Sequence, residues 1–356
     1  MRARKQQRAE LAAILSRLAP GTALREGLDH IMRARTGALL MFSDAEDLSG
    51  IINGGFPLDV EMTPDLLYEL AKMDGAIVLS ADGRRVRYAN VQLVPDPSIP
   101  SDETGIRHRS AERAARQTGD LVIAISQRRD VITLYRGTLK YPMQDLVLVM
   151  ARANQALQTL EKYAGVLRES LGNLTALEFQ DLVTLHDVAV VLRRIELVLR
   201  LSDEIAFYEV ELGVEGRLLR LQRLELVGDV EQQGLLVVKD YAARDVDPEE
   251  AFQRLHELDL DRSQLSDIAR LLGHGAAPEG LDAFVTPRGY RTLSRVPRLP
   301  AAVIDKVVRR FGSLQRILSA SPEELDQVEG VGAVRSRAIR DGLSMQQDQL
   351  YLPRRL

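Results

Sequence analysis

Thr104-Gly105-Ile106-Arg107-His108-Arg109-Ser110 places a glycine, two arginines, a histidine and two hydroxyls in seven consecutive residues, directly before an alanine-rich stretch of helical pattern. This composition suits phosphate. Amide groups at a helix start have no partner within the helix, so an anion placed there gains hydrogen bonds and a favourable dipole. Arginine's planar fork holds a phosphate through two parallel charge-assisted bonds, and a neighbouring histidine can donate a further bond or pass a proton. A nucleotide is the expected ligand.

A second cluster, Lys72-Met73-Asp74-Gly75-Ala76, stands just before an apolar run of β type. An aspartate there can hold a divalent metal or orient a hydroxyl, and Gly75 would let a ligand approach the backbone. Asp-Gly before a strand is also an ordinary turn; coincidence with the phosphate segment is what gives Asp74 its chemical reading. A third pattern, Val328 to Ile339, reads as helix end, Gly-x-Gly turn and second helix, a helix-hairpin-helix. Gly330, Val331 and Gly332 would form the turn. The glycines permit positive φ and close approach, so amides of the second helix can embrace one DNA phosphate without reading bases. Arg335, Arg337 and Arg340 would contact flanking phosphates. Upstream, Val296-Pro297-Arg298-Leu299-Pro300 looks like a degenerate first copy, with prolines where the hairpin glycines would be. No recognition helix rich in base-reading side chains follows, so recognition of DNA backbone or shape is expected.

Three regions must position these residues. Residues 1–145 mix both periodicities: helical patterns at Ala9–Leu18, Leu24–Arg33 and Pro64–Lys72, and β-type runs at Ala38–Phe42, Ala76–Leu79, Val86–Tyr88, Leu121–Ile125 and Val131–Tyr135. Ser80-Ala81-Asp82-Gly83 and Gln127-Arg128-Arg129-Asp130 read as hairpin joints, which predicts a mixed or antiparallel sheet covered by helices. Residues 146–286 carry apolar positions at spacings of three and four, with no proline between Pro142 and Pro248, and predict a helical bundle whose apolar faces include Leu182, Leu185, Val188, Ala189 and Leu192. His186, His256 and His274 stand without metal-type partners at helical spacing and are expected to be structural or surface residues. Residues 287–356 predict a compact set of short helices at Ile304–Phe311, Leu314–Ser319, Pro322–Val328 and Val334–Leu343. The fold class is therefore a multidomain α/β plus α chain: a mixed sheet covered by helices, a central bundle and a C-terminal tandem helix-hairpin-helix.

A chain of 356 residues exceeds one ordinary core. Cysteine is absent, which excludes disulfides, thiolate metal sites and a cysteine nucleophile. The basic N-terminus lacks the apolar run of a signal peptide, and no stretch approaches a membrane span. A soluble, cytoplasmic protein without a membrane partner is expected. The net charge of −4 hides an asymmetry: residues 287–356 hold 13 Lys+Arg against 7 Asp+Glu, +6, which leaves −10 for residues 1–286. The basic end suits a polyanion.

Asp74-Gly75-Ala76 with Arg107-His108-Arg109, Tyr68-Glu69-Leu70-Ala71-Lys72-Met73, Asn90-Val91-Gln92-Leu93, Ala111-Glu112-Arg113 and Glu329-Gly330-Val331-Gly332 resembles, over essentially the whole chain, the bacterial diadenylate cyclases of the DNA integrity scanning family. The resemblance implies condensation of two ATP into cyclic di-AMP and two pyrophosphates with Mg²⁺ or Mn²⁺. It implies face-to-face cyclase domains within a homo-octamer, and synthesis slowed when branched or duplex DNA occupies the hairpin module. A role in DNA damage checkpoint signalling, close to the nucleoid, would follow. By the same resemblance Asp74 would activate the attacking hydroxyl or bind metal. Gly75, Ala76 and Leu93 would line the adenosine site, and Thr104, Gly105, Ile106, Arg107, His108, Arg109 and Ser110 would bind phosphates, with Ser126 and Arg128 as further contacts. Ser110 departs from the threonine more usual after Arg-His-Arg but keeps the hydroxyl. Two other readings are a DNA-binding scaffold with an inactive nucleotide-sensing head and a DNA-repair nuclease. The first is disfavoured by the intact Asp74 and Arg107-His108-Arg109, the second by the lack of an acidic cluster apart from Asp74.

Overall fold

A computed structural model of the chain describes residues 2–46, 48, 50–127, 130–260, 262–275 and 278–351. They form two compact units. The first, the sheet unit, comprises Arg2–Asn154 and Ala206–Arg220, and the second, the helical unit, Gln155–Ile205 and Leu221–Leu356.

The sheet unit contains α1 (Arg2–Arg17), α2 (Ala23–Arg33), β1 (Ala38–Phe42), β2 (Ile52–Asn53), β3 (Phe56–Glu61), α3 (Pro64–Ala71), β4 (Ala76–Leu79), β5 (Arg85–Leu93), α4 (Ile106–Thr118), β6 (Leu121–Ser126), β7 (Val131–Arg136) and β8 (Leu139–Pro142). The sheet runs β2-β5-β4-β1-β6-β7-β8, with β3 also on β5. Only β1 and β4 pair in parallel among the described strands. The mixed sheet expected from the two hairpin joints is what forms.

Strand alternation builds two cores. Ala38, Leu40 and Phe42 of β1, with Ile77, Leu79, Leu121, Ile123, Ile125 and Leu134, face Ile14, Leu15 and Leu18 of α1, Leu28 and Ile31 of α2 and Leu67 of α3. Leu39 and Met41, with Val78, Val91, Val122, Ala124 and Tyr135, face Ala111, Ala114 and Ala115 of α4. Every residue of β1 is buried, which is why its run of five apolar residues carries no polar alternation. Three strands went unexpected. β2 has two residues, β8 has four and ends in Pro142, and β3 carries Pro57 and Asp59, the latter at φ 49° inside a bulge between Pro57 and Val60. Proline and a bulge mark an edge strand, and most of β3 is exposed.

α5 (Leu146–Gln180) and α6 (Leu185–Leu212) begin the helical region. α7 (Arg217–Val227), α8 (Val230–Tyr241), α9 (Pro248–Glu257), α10 (Leu265–Leu271), α11 (Tyr290–Ser294), α12 (Ala301–Phe311), α13 (Leu314–Ser319), α14 (Pro322–Asp326) and α15 (Gly332–Tyr351) follow. Leu185, Val188, Ala189 and Leu192 are buried as expected, but Leu182 is half exposed. It sits in the break after α5, where Asp181 adopts φ 55°, and so belongs to no helix face. His256 bonds Glu196, which raises its imidazole pKa, and His274 Nε2 lies 2.8 Å from the Tyr241 carbonyl. Both serve the packing.

The C-terminal short helices share one small core of Leu293, Val303, Ile304, Val307, Leu314, Leu325, Val331 and Ile339. Beside it lies a buried ion pair. Arg291, 1% exposed, bonds both carboxylate oxygens of Glu178, which is fully buried, and reaches Thr175 Oγ1 at 3.0 Å. Tyr241 donates to the same carboxylate at 2.9 Å. Asp240 accepts from the amides of Gly289, Tyr290 and Arg291 at 2.6–2.9 Å, while burial and the neighbouring Glu178 push its carboxyl up to about 7. Removing one partner of such a pair leaves a buried charge uncompensated. Arg291→Met should therefore destabilise the helical unit by about 3–5 kcal/mol, and Glu178→Leu added to it should recover most of the loss, as read by urea unfolding.

Candidate functional site

The pairing of β1 with β4, and of each with an antiparallel neighbour, decides which loops meet. Parallel β1 and β4 start at the same end of the sheet. The end of β6 lies there too, since Ala38 pairs with Ile125, as does the end of β5, since Ala76 pairs with Val91. Gly37, Asp74, Gly75, Leu93 and Ser126 are thus gathered along one edge. α4 starts at the same place, because Arg107 Nη2 donates to Asp74 Oδ1 at 3.1 Å.

Two glycines make this approach feasible. A Cβ on Gly37 would stand 2.6 Å from Arg107 Nη1, so the guanidinium lies over bare backbone. A Cβ on Gly75 would stand 2.4 Å from the carbonyl carbon of Asn90, whose Oδ1 accepts the Gly75 amide at 3.1 Å. Asn90 itself has φ 53°, within the irregular β4–β5 pairing. Glycine at 75 is therefore demanded by the chain's own packing, before any ligand is considered.

Gly105, the residue before α4, adopts extended backbone (φ −79°, ψ 135°) and offers no side chain to cap the first turn. The loop before it is held down by α4 itself. Arg113 donates to the Ile99 carbonyl at 2.7 Å, Arg116 to the Pro100 carbonyl at 2.9 Å, and Gln117 accepts the Asp96 amide at 2.8 Å. Buried Glu112 bonds Ser101 at 2.5 Å and Arg116 at 2.7 Å. An uncapped helix start on a pinned loop is a rigid set of donors.

His108 Nδ1 lies 3.1 Å from the Tyr135 hydroxyl, which donates to Glu103 Oε1 at 2.7 Å; Lys140 Nζ pairs with that oxygen at 2.5 Å. Burial would raise the Glu103 carboxyl, but Lys140 and Tyr135 together hold it below the usual range. Burial and the Glu103 carboxylate raise Tyr135 so far that its hydroxyl keeps its proton.

Asp74 is fully exposed, Thr104, Gly105, Ile106 and Arg109 are exposed, and Arg107, His108 and Ser110 are partly buried. Ala76 and Leu93 lie in the core beneath α4, and Ser126 closes β6 opposite Val131. Arg128 lies outside the described residues. Sequence reasoning missed Gly37, Glu103, Tyr135 and Lys140. Gly37, directly before a buried run, was the one with a signal in the sequence.

In the helical unit, α14 and α15 are joined by a turn in which Gly330 has φ 89° and Gly332 φ 56°, the conformation for which glycine was expected. Val331 between them is buried, and Arg335 Nη1 returns to the Gly330 carbonyl at 2.5 Å. Arg337 and Arg340 do not join Arg335. They line a shallow depression with Glu323 and Asp326 of α14. The turn between α11 and α12 has a proline at only one of the two glycine positions, Pro300 in place of Gly332; in place of Gly330 it has Arg298, at φ 61°, because that position needs the positive φ that proline cannot adopt.

Residues 25–139 match the family described as DisA bacterial checkpoint controller nucleotide-binding, and residues 143–281 match the DisA bacterial checkpoint controller linker region. The DNA integrity scanning protein DisA of Symbiobacterium thermophilum is 55% identical over 347 residues, spanning 96% of this chain and 97% of that one. Those of Clostridium kluyveri and Carboxydothermus hydrogenoformans are 49% and 51% identical over 350 residues, spanning 98% and 97% of this chain and 99% and 98% of theirs. With likeness of this extent along nearly its whole length, the chain belongs to the DNA integrity scanning family of bacterial diadenylate cyclases.

Proposed function

We propose that the chain condenses two ATP molecules into cyclic di-AMP and two pyrophosphates, and that DNA held at the C-terminal hairpins slows this synthesis. The observation that carries the first part is the Asp74–Arg107 contact, which sets an exposed carboxylate against an uncapped, arginine-bearing helix start. Each cyclase domain would hold one ATP, with triphosphate on Arg107, His108, Arg109, Ser110, Thr104 and the first amides of α4. Two domains facing each other then place each 3′-hydroxyl in line with the partner's α-phosphorus. The new bond joins O3′ to that phosphorus, the α–β phosphoanhydride bond breaks, and pyrophosphate leaves. No protein nucleophile is required, because alignment and neutralisation of charge supply most of the acceleration in such transfers.

A single exposed carboxylate beside a phosphate-binding helix start fits a Mg²⁺ or Mn²⁺ ion, which takes one or two carboxylates and the substrate's own phosphate oxygens. Asp74 would hold it, and the ion would add positive charge where the leaving phosphates gain negative charge. Arg107, released from Asp74, would turn to the triphosphate.

For the second part, α14–α15 and α11–α12 would act as paired helix-hairpin-helix elements, supported by the positive φ at Gly330, Gly332 and Arg298 and the basic balance of residues 287–356. Arg335 and the first amides of α15 would meet one phosphate, with Arg337 and Arg340 reaching others further along the duplex. Inhibition by branched DNA needs two states of the assembly that bind it unequally. An octamer formed through face-to-face cyclase domains, working in the cytoplasm close to the nucleoid as a DNA-integrity signal, completes the proposal.

The direct test is chromatographic detection of cyclic di-AMP from ATP with Mg²⁺ or Mn²⁺, with and without junction DNA; absence of product refutes the cyclase assignment. Asp74→Asn should lower kcat on the order of a hundredfold or more while leaving the melting temperature close to that of the parent protein. Gly37→Ala should press mainly on the far end of Arg107, 2.6 Å from the added carbon, and more lightly on the Ile125 carbonyl at 3.3 Å, so the melting temperature should fall little while KM for ATP rises about tenfold. Gly332→Glu puts a side chain at positive φ and a negative charge beside the bound phosphate. It should weaken junction binding in a salt-titrated binding assay and reduce the DNA-dependent fall in product.

A further inference from the structure

The two C-terminal hairpins have the same frame but offer an anion different groups. Buried Val296 matches buried Val328, and Leu299, packed against the shared core, matches buried Val331. Between and after them the residues diverge. Gly332 brings a backbone amide to the start of α15, whereas Pro300, directly before α12, has none, so the first hairpin lacks a donor that the second keeps. At the tip the difference runs the other way: Gly330 has no side chain, and Arg298 adds a cation. The two tips are fixed to one another. Lys306 of α12 pairs with Glu329 at 2.9 Å, a Cβ on Gly330 would stand 3.5 Å from Val303 of α12, and one on Gly342 of α15 would stand 3.1 Å from Val296. Each hairpin therefore packs on a helix of the other.

Resting on the DNA-binding reading above, we infer that Arg298 is the DNA-phosphate contact of the first hairpin, its guanidinium serving where Pro300 leaves no amide to donate. The side chain has no part in the packing. Arg298 is exposed and has no hydrogen-bond or ion-pair partner among the described residues. Its neighbours in the same region are held: Arg291 by Glu178, Arg295 by Thr175 Oγ1 at 3.3 Å, Arg309 by Asp305 at 2.9 Å and Arg335 by the Gly330 carbonyl. Glu329, the acid on the second hairpin, is occupied by Lys306, so it does not draw Arg298 away. The left-handed backbone at 298 also disfavours arginine, and glycine or asparagine would suit it better. A lone exposed cation at a hairpin tip neutralises one phosphate and reads no base. The first hairpin thus holds DNA by a side chain and the second mainly by backbone amides.

The experiment is fluorescence anisotropy of a labelled linear duplex and a labelled four-way junction with the full-length protein, in salt from about 50 to about 200 mM. Wild type is compared with Arg298→Lys, Arg298→Asn, Arg298→Gly and Gly332→Glu. Asparagine and glycine both accept left-handed backbone, so these two variants should hold the parent melting temperature or raise it by about 1–2 °C. Each should nevertheless weaken binding about tenfold at the low-salt end and reduce the slope of log K against log salt by about one. Arg298→Lys keeps the charge and should keep the slope, with a loss of about threefold at most. Wild-type binding that Gly332→Glu weakens, together with an unchanged slope in Arg298→Asn and Arg298→Gly, would overturn the inference and leave the DNA reading standing. So would a fall in melting temperature that accounts for the lost binding. A wild-type protein that binds neither probe sinks the DNA reading and the inference with it.

Discussion

The Arg107 guanidinium lies between the Asp74 carboxylate and the bare backbone of Gly37, and the rest of the sheet unit is arranged so that it can. Parallel pairing brings the starts of β1 and β4 side by side. Small side chains on α4 let the helix settle closely on the sheet, with Ala111, Ala114 and Ala115 against Val78, Val91 and Val122. Had larger residues occupied those three positions, the helix would stand further off and its first turn would miss the strand ends. Packing density beneath α4 thus becomes precision above it.

Two arginine–carboxylate contacts in this chain serve opposite ends. Asp74 and Arg107 meet in solvent, where water competes for both partners and the pair is easily exchanged for a ligand. Arg291 and Glu178 meet out of solvent, with Tyr241 donating to the carboxylate and Thr175 accepting from the guanidinium, while Asp240 caps the start of α11 through its backbone amides. The second contact cannot open without exposing charge to an apolar interior, so it fixes the α11 start, and the turn after it, to α5 and α8. A labile pair suits a substrate site; a locked one suits a joint.

Much of this was legible in the residues. The boundaries of β1 and β4 follow directly from Ala38–Phe42 and Ala76–Leu79, because buried apolar runs flanked by glycine leave little choice. The glycines at 330 and 332 stand where a turn needs positive φ. What was not legible depends on long-range partners. Tyr135 reads as one more aromatic in an apolar strand, and only the fold sets it between His108 and Glu103, 27 and 32 residues away. Leu182 looked like part of a continuous apolar face because period alone does not show the left-handed Asp181 before it. Arg335, Arg337 and Arg340 form one basic run in sequence, yet residues two and five apart on a helix point to different sides, and only Arg335 returns to the turn.

The margins of the sheet have a further consequence. On one side β3 carries Pro57 and the Asp59 bulge, and on the other β8 is four residues long and ends in Pro142. Proline offers no amide and a bulge breaks the ladder, so neither margin templates a further strand. The chain is protected against edge-to-edge aggregation of its most apolar layer. Copies of the protein can therefore crowd together without their sheets fusing into one another.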